Sequence, residues 1–251
     1  MLKLLKSMDE LPVSDATPFG CKIRSAAAAY GMGEPSVQFW VQEGGAVVAR
    51  IDDQAVLEDA GTLDAEELAA FLRTLDPDSF CCTEAAAGKL GLTASAAGEI
   101  LDLRPGGAEI LRPLADVEWN PGPREVYSVL DQARSAVFPV PEFEPFYMDL
   151  SFRTRHGAAL TAGVRQGGRL VAVALCSAVT DGAAVVSAVA CVPGLRRRGY
   201  GRTALGELAR RLRRGHLYVL RADGENEAFY RALGFCACGR WAEIRRKGEN
   251  P

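Results

Sequence analysis

The chain predicts an α/β (α+β) protein in which strands and helices interleave and the clearest turns join neighbouring strands. Three observations carry that reading. Glu43-Gly44-Gly45 and Asp181-Gly182 are hairpin signals between apolar, β-branched runs. Leu68, Phe71, Leu72 and Leu75, and again Leu205, Leu208, Ala209 and Leu212, recur at helical spacing. Between Val189 and Phe235 a strand, a glycine-rich loop, a helix and another strand follow one another.

Taken in order, residues 19–30 form an alanine-rich helix. Residues 37–42 and 46–51 are strands around the first hairpin turn, with a third strand at 54–58. Asp64-Ala-Glu-Glu67 resembles a capping box and starts the helix through Leu75. A short strand at 79–83 and a short helix at 84–89 lead to Gly88-Lys89-Leu90-Gly91-Leu92. Residues 104–124 hold Pro105-Gly106-Gly107, Pro113 and Pro121-Gly122-Pro123, a density that breaks regular structure. The expected division is therefore an N-terminal domain over 1–112, a linker over 113–123 and a C-terminal domain over 124–251. The second domain opens with a helix at 125–134 and an aromatic-rich segment at 142–155. Strands follow at 158–165, 170–178 and 183–192, then a helix at 203–214. A strand at 217–221, a short helix at 225–232 and a strand at 235–244 close it.

With 251 residues the chain makes one large domain or two small ones, and 48% apolar with 24% charged residues is ordinary for a soluble protein. No apolar run reaches about 18 residues, so no membrane partner is expected. The opening MLKLLKSMDELP is too short and too quickly acidic for a secretory signal. Seven cysteines at irregular spacing make a poor disulfide framework, so a reducing, cytoplasmic setting is expected. Cys236 and Cys238 are read as small residues of a strand, and His156 and His216 lie in no ligand-like cluster; no metal is expected. Residues 1–123 hold 9 Lys+Arg against 20 Asp+Glu, and residues 124–251 hold 20 against 12. An acidic half joined to a basic half suggests separate tasks, the basic half attracting an anion. Arg210, Arg211, Arg213 and Arg214 read as a solvated helix face, without the aromatic interleaving of a nucleic-acid binder, so no nucleic-acid partner is expected.

The anion site is legible at Arg196-Arg197-Arg198-Gly199-Tyr200-Gly201, of the form R-x-x-G-x-G. Gly199 and Gly201 let backbone N–H groups approach a ligand. The following helix points its positive end at the same spot, and Arg196, Arg197, Arg198 and Arg202 add charge. Such a nest suits a pyrophosphate. One strand later comes Tyr230-Arg231-Ala232-Leu233-Gly234-Phe235, of the form Y-x-x-x-G-F.

The two motifs in this order resemble the GNAT superfamily of acetyl-CoA-dependent N-acetyltransferases, over about residues 124–245. The resemblance implies a mixed, mostly antiparallel central sheet flanked by helices, with acetyl-CoA as co-substrate. It implies that Val189, Ala190 and Cys191 pair their backbone with the pantetheine arm, and that Arg196, Arg197, Arg198, Gly199, Tyr200, Gly201 and Arg202 cradle the pyrophosphate. Tyr230 matches the tyrosine facing the departing thiolate. An ordinary phenol has a pKa near 10 and a thiol near 8.5, so full proton transfer is uphill by about 2 kcal/mol and a stabilising hydrogen bond is the safer role. The family pattern has Asn seven residues before that tyrosine; here Asp223 stands there and Asn226 is four before, so Asn226 is the candidate for the same cofactor contact.

The N-terminal part has a similar order in cut-down form and reads as a smaller, degenerate GNAT-like copy, as in tandem GNAT proteins. It lacks the glycine loop and a matching tyrosine. The expected partner is a small-molecule or peptide amine acceptor, its pocket near Phe143, Phe146, Tyr147, Met148 and Phe152; a homodimer stays open. The strand over 183–192 has no acid, so a base would be Asp149, Glu142, Glu144, Glu243 or a held water. A non-catalytic acyl-CoA-binding or sensing module, or a structural protein that keeps only the fold, are the competing readings.

Overall fold

A computed structural model gives the fold over residues 1–59, 62–103, 115–212 and 215–246. The glycine and proline cluster of 104–114 and the arginines at 213 and 214 lie outside the described residues. The chain forms two compact units. The first comprises Met1–Leu101, Leu220–Glu225 and Ala237–Pro251; the second comprises Asp102–Val219 and Asn226–Cys236.

In the first unit the elements are β1 (Leu2–Leu4), α1 (Pro18–Tyr30), β2 (Val37–Gln42), β3 (Val47–Ile51), β4 (Gln54–Glu58), α2 (Ala65–Leu75), β5 (Ser79–Thr83), α3 (Glu84–Lys89) and most of β6 (Ala96–Leu103). The β2–β3 turn closes as its glycines require: Gly44 and Gly45 hold φ of 106° and 98°, and the Gln42 N–H donates to the Ala46 carbonyl at 2.8 Å. β1 to β4 run antiparallel, whereas β4 and β5 are parallel and α2 makes the crossover. Leu68 and Leu72 seat α2 on Val48, Leu57 and Phe80 in the core of this unit. On α1, Phe19, Ile23, Ala26 and Ala27 are buried.

The second unit contains β7 (Val117–Trp119), α4 (Pro123–Ala133), α5 (Phe143–Arg155), β8 (Leu160–Gln166), β9 (Arg169–Val179), β10 (Ala183–Cys191), α6 (Tyr200–Arg211), the start of β11 (His216–Ala222) and α7 (Glu227–Arg231). Its sheet order is β11-β10-β9-β8-β7, antiparallel except for the parallel β10/β11 pair. Val126, Val129 and Leu130 of α4 pack on Val173 and Leu175, and α6 buries Ala204, Leu205 and Leu208 against the other strand face. A sheet covered on both faces explains why β9 reads as a continuous apolar run instead of an alternation.

The last strand, β12 (Cys236–Arg245), pairs antiparallel with β5, from Trp241↔Thr83 to Arg245↔Ser79. Its Arg240 bonds Glu84 and Asp223. Gly98 of β6 is a steric requirement: a Cβ there would lie 1.9 Å from the Arg221 carbonyl oxygen. Helix α6 begins at Tyr200, about one turn before the start at 203 expected from the sequence. The first turn of a helix needs no i−4 hydrogen bond, so Gly201 is tolerated inside it. The strands β1, β6 and β7 were not expected from the sequence.

Candidate active site

The site begins where two parallel strands part. β10 and β11 pair from Ala183↔His216 to Val186↔Val219, and the parallel register stops there. β10 continues to Cys191 against β9 alone. Two serines mark the change: β9 carries an extra residue at Ser177 and β10 one at Ser187, either side of the Val186↔Cys176 pair. Beyond the bulge the Val192 N–H donates to the Val171 carbonyl at 2.9 Å. Antiparallel alternation then turns the N–H and C=O of Val189 and Cys191 away from β9. Consistently, the Cys191 carbonyl accepts Arg196 Nε at 3.2 Å. Backbone groups along this edge are placed to pair with an extended ligand.

The chain then makes a 3-10 turn over Pro193–Leu195 and enters α6 through left-handed residues, Arg197 at φ 62° and Gly199 at φ 87°. Gly199 is the N-cap and no side chain caps the helix. The first-turn amides therefore point out of the fold with the helix dipole behind them. Arg196, Arg197, Arg198 and Arg202 are all exposed, and none of Arg197, Arg198 and Arg202 forms an ion pair with a described carboxylate. A Cβ on Gly201 would meet Val189 Cγ1 at 3.7 Å, an ordinary contact, so packing alone does not demand glycine there. The glycine keeps the amide approachable. These residues fit a diphosphate: uncapped helix amides, a positive helix end and exposed cations converge. Farther along α6, Arg210 pairs with Glu207 at 2.5 Å and Arg211 lies 4.5 Å over the Trp119 ring, structural uses in place of an extended basic stripe.

Tyr230 lies on α7, half-buried, its ring edge-on to Phe229 and Phe235 at 5.1 and 5.6 Å. Gly234, at φ 87°, and the Phe235 N–H to Tyr230 carbonyl bond at 3.1 Å turn the chain back after this helix. The Y-x-x-x-G-F spacing is thus a helix stop that fixes the tyrosine ring against the phenylalanine. Asn226 is the N-cap residue of α7 at φ 52°, exposed, and its side chain makes no capping bond. Asp223 does not burden this region with a bare charge. Arg240 takes both its oxygens, at 3.2 and 2.7 Å, and holds its carboxyl below the usual range. Burial pushes the Cys191 thiol up despite nearby Arg196, so it is a protonated thiol near neutral pH.

In the second unit a cavity of about 200 Å³ opens beside the bulge. Its polar lining is Asp149, Arg153, Ser177 and Ser187. Arg153, nearly buried, donates to Asp149 Oδ1 at 2.7 Å and to the Ser177 carbonyl at 3.3 Å, and Ser187 Oγ donates to the Leu175 carbonyl at 3.2 Å. Of the four acids considered as a base, only Asp149 lines this cavity. Glu142 precedes α5 without a capping bond, Glu144 sits in its exposed first turn, and Glu243 pairs with Arg245 at 2.9 Å. Phe146 lines the cavity; Phe143 and Tyr147 instead hold Arg124 over their rings, and Met148 is exposed. Ser177, Ser187 and Arg153 were not singled out from the sequence. The available signal was a lone serine inside each of two apolar strands.

His156 stacks on Phe152, and His216 Nδ1 lies 3.0 Å from Asp102 Oδ2; among the described residues no group of three or more His, Cys, Asp or Glu is placed to hold a metal.

Comparison with known proteins agrees with this geometry. Residues 124–235 match the family model described as the Acetyltransferase (GNAT) family. No curated protein matches the chain. Among solved structures, a GCN5-related N-acetyltransferase from Kribbella flavida is similar at TM-score 0.62 and 21% identity, covering 91% of this chain and 96% of that one. A tandem GNAT protein of the clavulanic acid biosynthesis pathway is similar at TM-score 0.59 and 15% identity, covering 97% of each chain. A Drosophila protein is similar at TM-score 0.62 and 14% identity, covering 97% of this chain and 98% of that one. At these identities the likeness is one of fold, and it extends over both units. Residues 124–235 are therefore a GNAT acetyltransferase domain, set in a chain whose fold is that of GNAT proteins, a tandem one included.

Proposed function

We propose that the protein transfers an acetyl group from acetyl-CoA to a primary amine. The observation that carries this reading is the junction of an open β10 edge with an uncapped, arginine-flanked helix end. Val189 and Cys191 would hold the pantetheine arm by main-chain hydrogen bonds; Ala190, expected from the sequence to share this role, instead turns its N–H and C=O toward Val173 of β9. The loop from Arg196 to Arg202 would hold the diphosphate, with Asn226 at the next turn.

In the reaction a carbon–nitrogen bond forms and the carbon–sulfur bond breaks. The amine loses a proton and the sulfur gains one. Tyr230 stabilises charge on the departing sulfur by a hydrogen bond. A lysine-like amine costs roughly 4 kcal/mol to deprotonate near pH 7.4, which asks for an acceptor in the site, and Asp149 is the carboxylate that lines the cavity. With the Cys191 thiol protonated, direct transfer is favoured over an acyl-cysteine route.

The test is thiol release from acetyl-CoA with a panel of amines, alongside calorimetric binding. Binding with turnover supports the reading, and no measurable affinity for acetyl-CoA contradicts it. A non-catalytic acyl-CoA-binding module is the second reading, favoured by the absence of any acid on β10; it predicts binding with no turnover. No helix among the described residues is long and apolar enough to cross a membrane. We place the protein in the cytoplasm on the irregular spacing of its seven cysteines, a poor disulfide framework.

A further inference from the structure

We propose that the cavity beneath α5 selects a small primary amine with one compact apolar body and no carboxylate, and that Asp149 receives its ammonium. The inference rests on the acetyl-transfer reading and narrows its acceptor.

Three properties of the cavity lead there. The first is size. A cavity of about 150 Å³ is enough to take benzene. At about 200 Å³ this one takes a single ring with a short ammonium-bearing tail, or an aliphatic chain of similar bulk. No second ring or further residue has room inside it. The second is lining. Leu130, Phe138, Val140, Phe146 and Leu150 face it, and an acceptor rich in hydroxyls would leave them unsatisfied against these side chains.

The third is charge. The cavity holds one carboxylate and one guanidinium, and they are already joined. Arg153, with its side chain 8% exposed, spends Nε on Asp149 and Nη1 on the Ser177 carbonyl. An incoming carboxylate would have to break that pair and sit beside Asp149. Asp149 itself is 40% exposed, so an ammonium reaches it without disturbing the pair. An amine that is cationic at one end and apolar elsewhere is the complement.

Position ties the cavity to the chemistry. Ser187 and Ala188 line it, and the next residues of β10 are the open edge from Val189 to Cys191. At about 3.3 Å per residue the two lie within about 10 Å along one strand. The amine is thereby presented to the place where the acyl group would lie. The acceptor has a single nitrogen, so the ammonium that Asp149 receives is the group that reacts, and Asp149 takes its proton.

The experiment compares phenethylamine, phenylalanine and glucosamine as acceptors for the full-length chain, with calorimetric binding of each in the presence of CoA. Phenethylamine is expected to bind and to exceed the other two in kcat/KM by tenfold or more. Asp149→Asn and the cavity-filling Ser187→Phe are each expected to raise its KM at least tenfold while leaving the affinity for acetyl-CoA unchanged. Ser187 is exposed and lines this space, and an unchanged acetyl-CoA affinity verifies that its variant is folded. Preference for phenylalanine or glucosamine overturns the inference, as does an unchanged KM in Asp149→Asn, or failure of phenethylamine to bind when CoA binds. Failure of acetyl-CoA itself to bind strikes the broader reading instead, and is seen without any amine present.

Discussion

The molecule contains the same crossover twice, strand–helix–parallel strand, with opposite electrostatics. In the first unit it is β4–α2–β5, and in the second β10–α6–β11. In both, the parallel register ends early, at Val56↔Cys81 and at Val186↔Val219. After that point the two diverge. On β4, Glu58 accepts a 2.7 Å hydrogen bond from Thr17 at the start of α1. On β10 the strand runs on to Cys191 with its edge open. The N-terminus of α2 is capped by Asp64 and carries Glu66 and Glu67 in its first turn. The N-terminus of α6 is capped by glycine alone and flanked by Arg196, Arg197, Arg198 and Arg202. A helix end favours anions through its dipole, but three carboxylates at the end of α2 occupy that role from within the chain. If acetyl-CoA binds as proposed, the lesson is that the fold supplies a place for a diphosphate and the capping residues decide whether it is taken.

The largest effect should come from making the second crossover resemble the first. Reversing Arg198 and Arg202 to Glu should weaken acetyl-CoA binding by about 100-fold or more, since each cation makes charge-assisted contacts worth roughly 1.5–3 kcal/mol. Calorimetry reads this, and an affinity within threefold of wild type would show that the loop is not the anion site. Next, Tyr230→Phe should lower kcat by about 100-fold with little change in acetyl-CoA affinity. Full activity in that variant would remove the tyrosine from the reaction. In the first unit, Asp64→Ala should cost about 1 kcal/mol of stability by removing the cap of α2, with acetyl-CoA binding untouched. Denaturant unfolding measures it, and altered binding would show that α2 is no bystander.

The smallest effect concerns Glu58. Burial raises its carboxyl above the ordinary 4.5, outweighing the Thr17 hydrogen bond. The folded state then holds a proton that the unfolded state releases. Its contribution to stability is present below about pH 4.5 and is lost as pH rises through the raised folded value. Glu58→Gln should abolish that decline, giving thermal midpoints that converge with wild type at pH 4 and exceed it at pH 7. Parallel midpoints across this range would contradict the assignment.

Much of this architecture was legible in the chain itself. The hairpin glycines, the Asp64 cap and the apolar faces of α2 and α6 each act locally, so local pattern reveals them. The glycine loop and Tyr230 were legible for the same reason. What escaped depends on distant partners. β6 reads as a weak segment because Gly98, Glu99 and Asp102 interrupt it; Gly98 is required by the Arg221 backbone and Glu99 pairs with Arg221, 122 positions away. The neutralisation of Asp223 by Arg240 on β12 is equally invisible in local sequence. The polar lining of the cavity escaped because its two serines sit at bulges, and a bulge is a mismatch between strands that neither strand records alone.

The most direct test of the account is the stoichiometry of acetyl-CoA binding to the full chain by calorimetry. One molecule per chain, abolished by the Arg198 and Arg202 reversal, is the predicted result. No binding, or two molecules per chain with the second surviving that reversal, would contradict the claim that one crossover is built for the diphosphate and the other is closed to it.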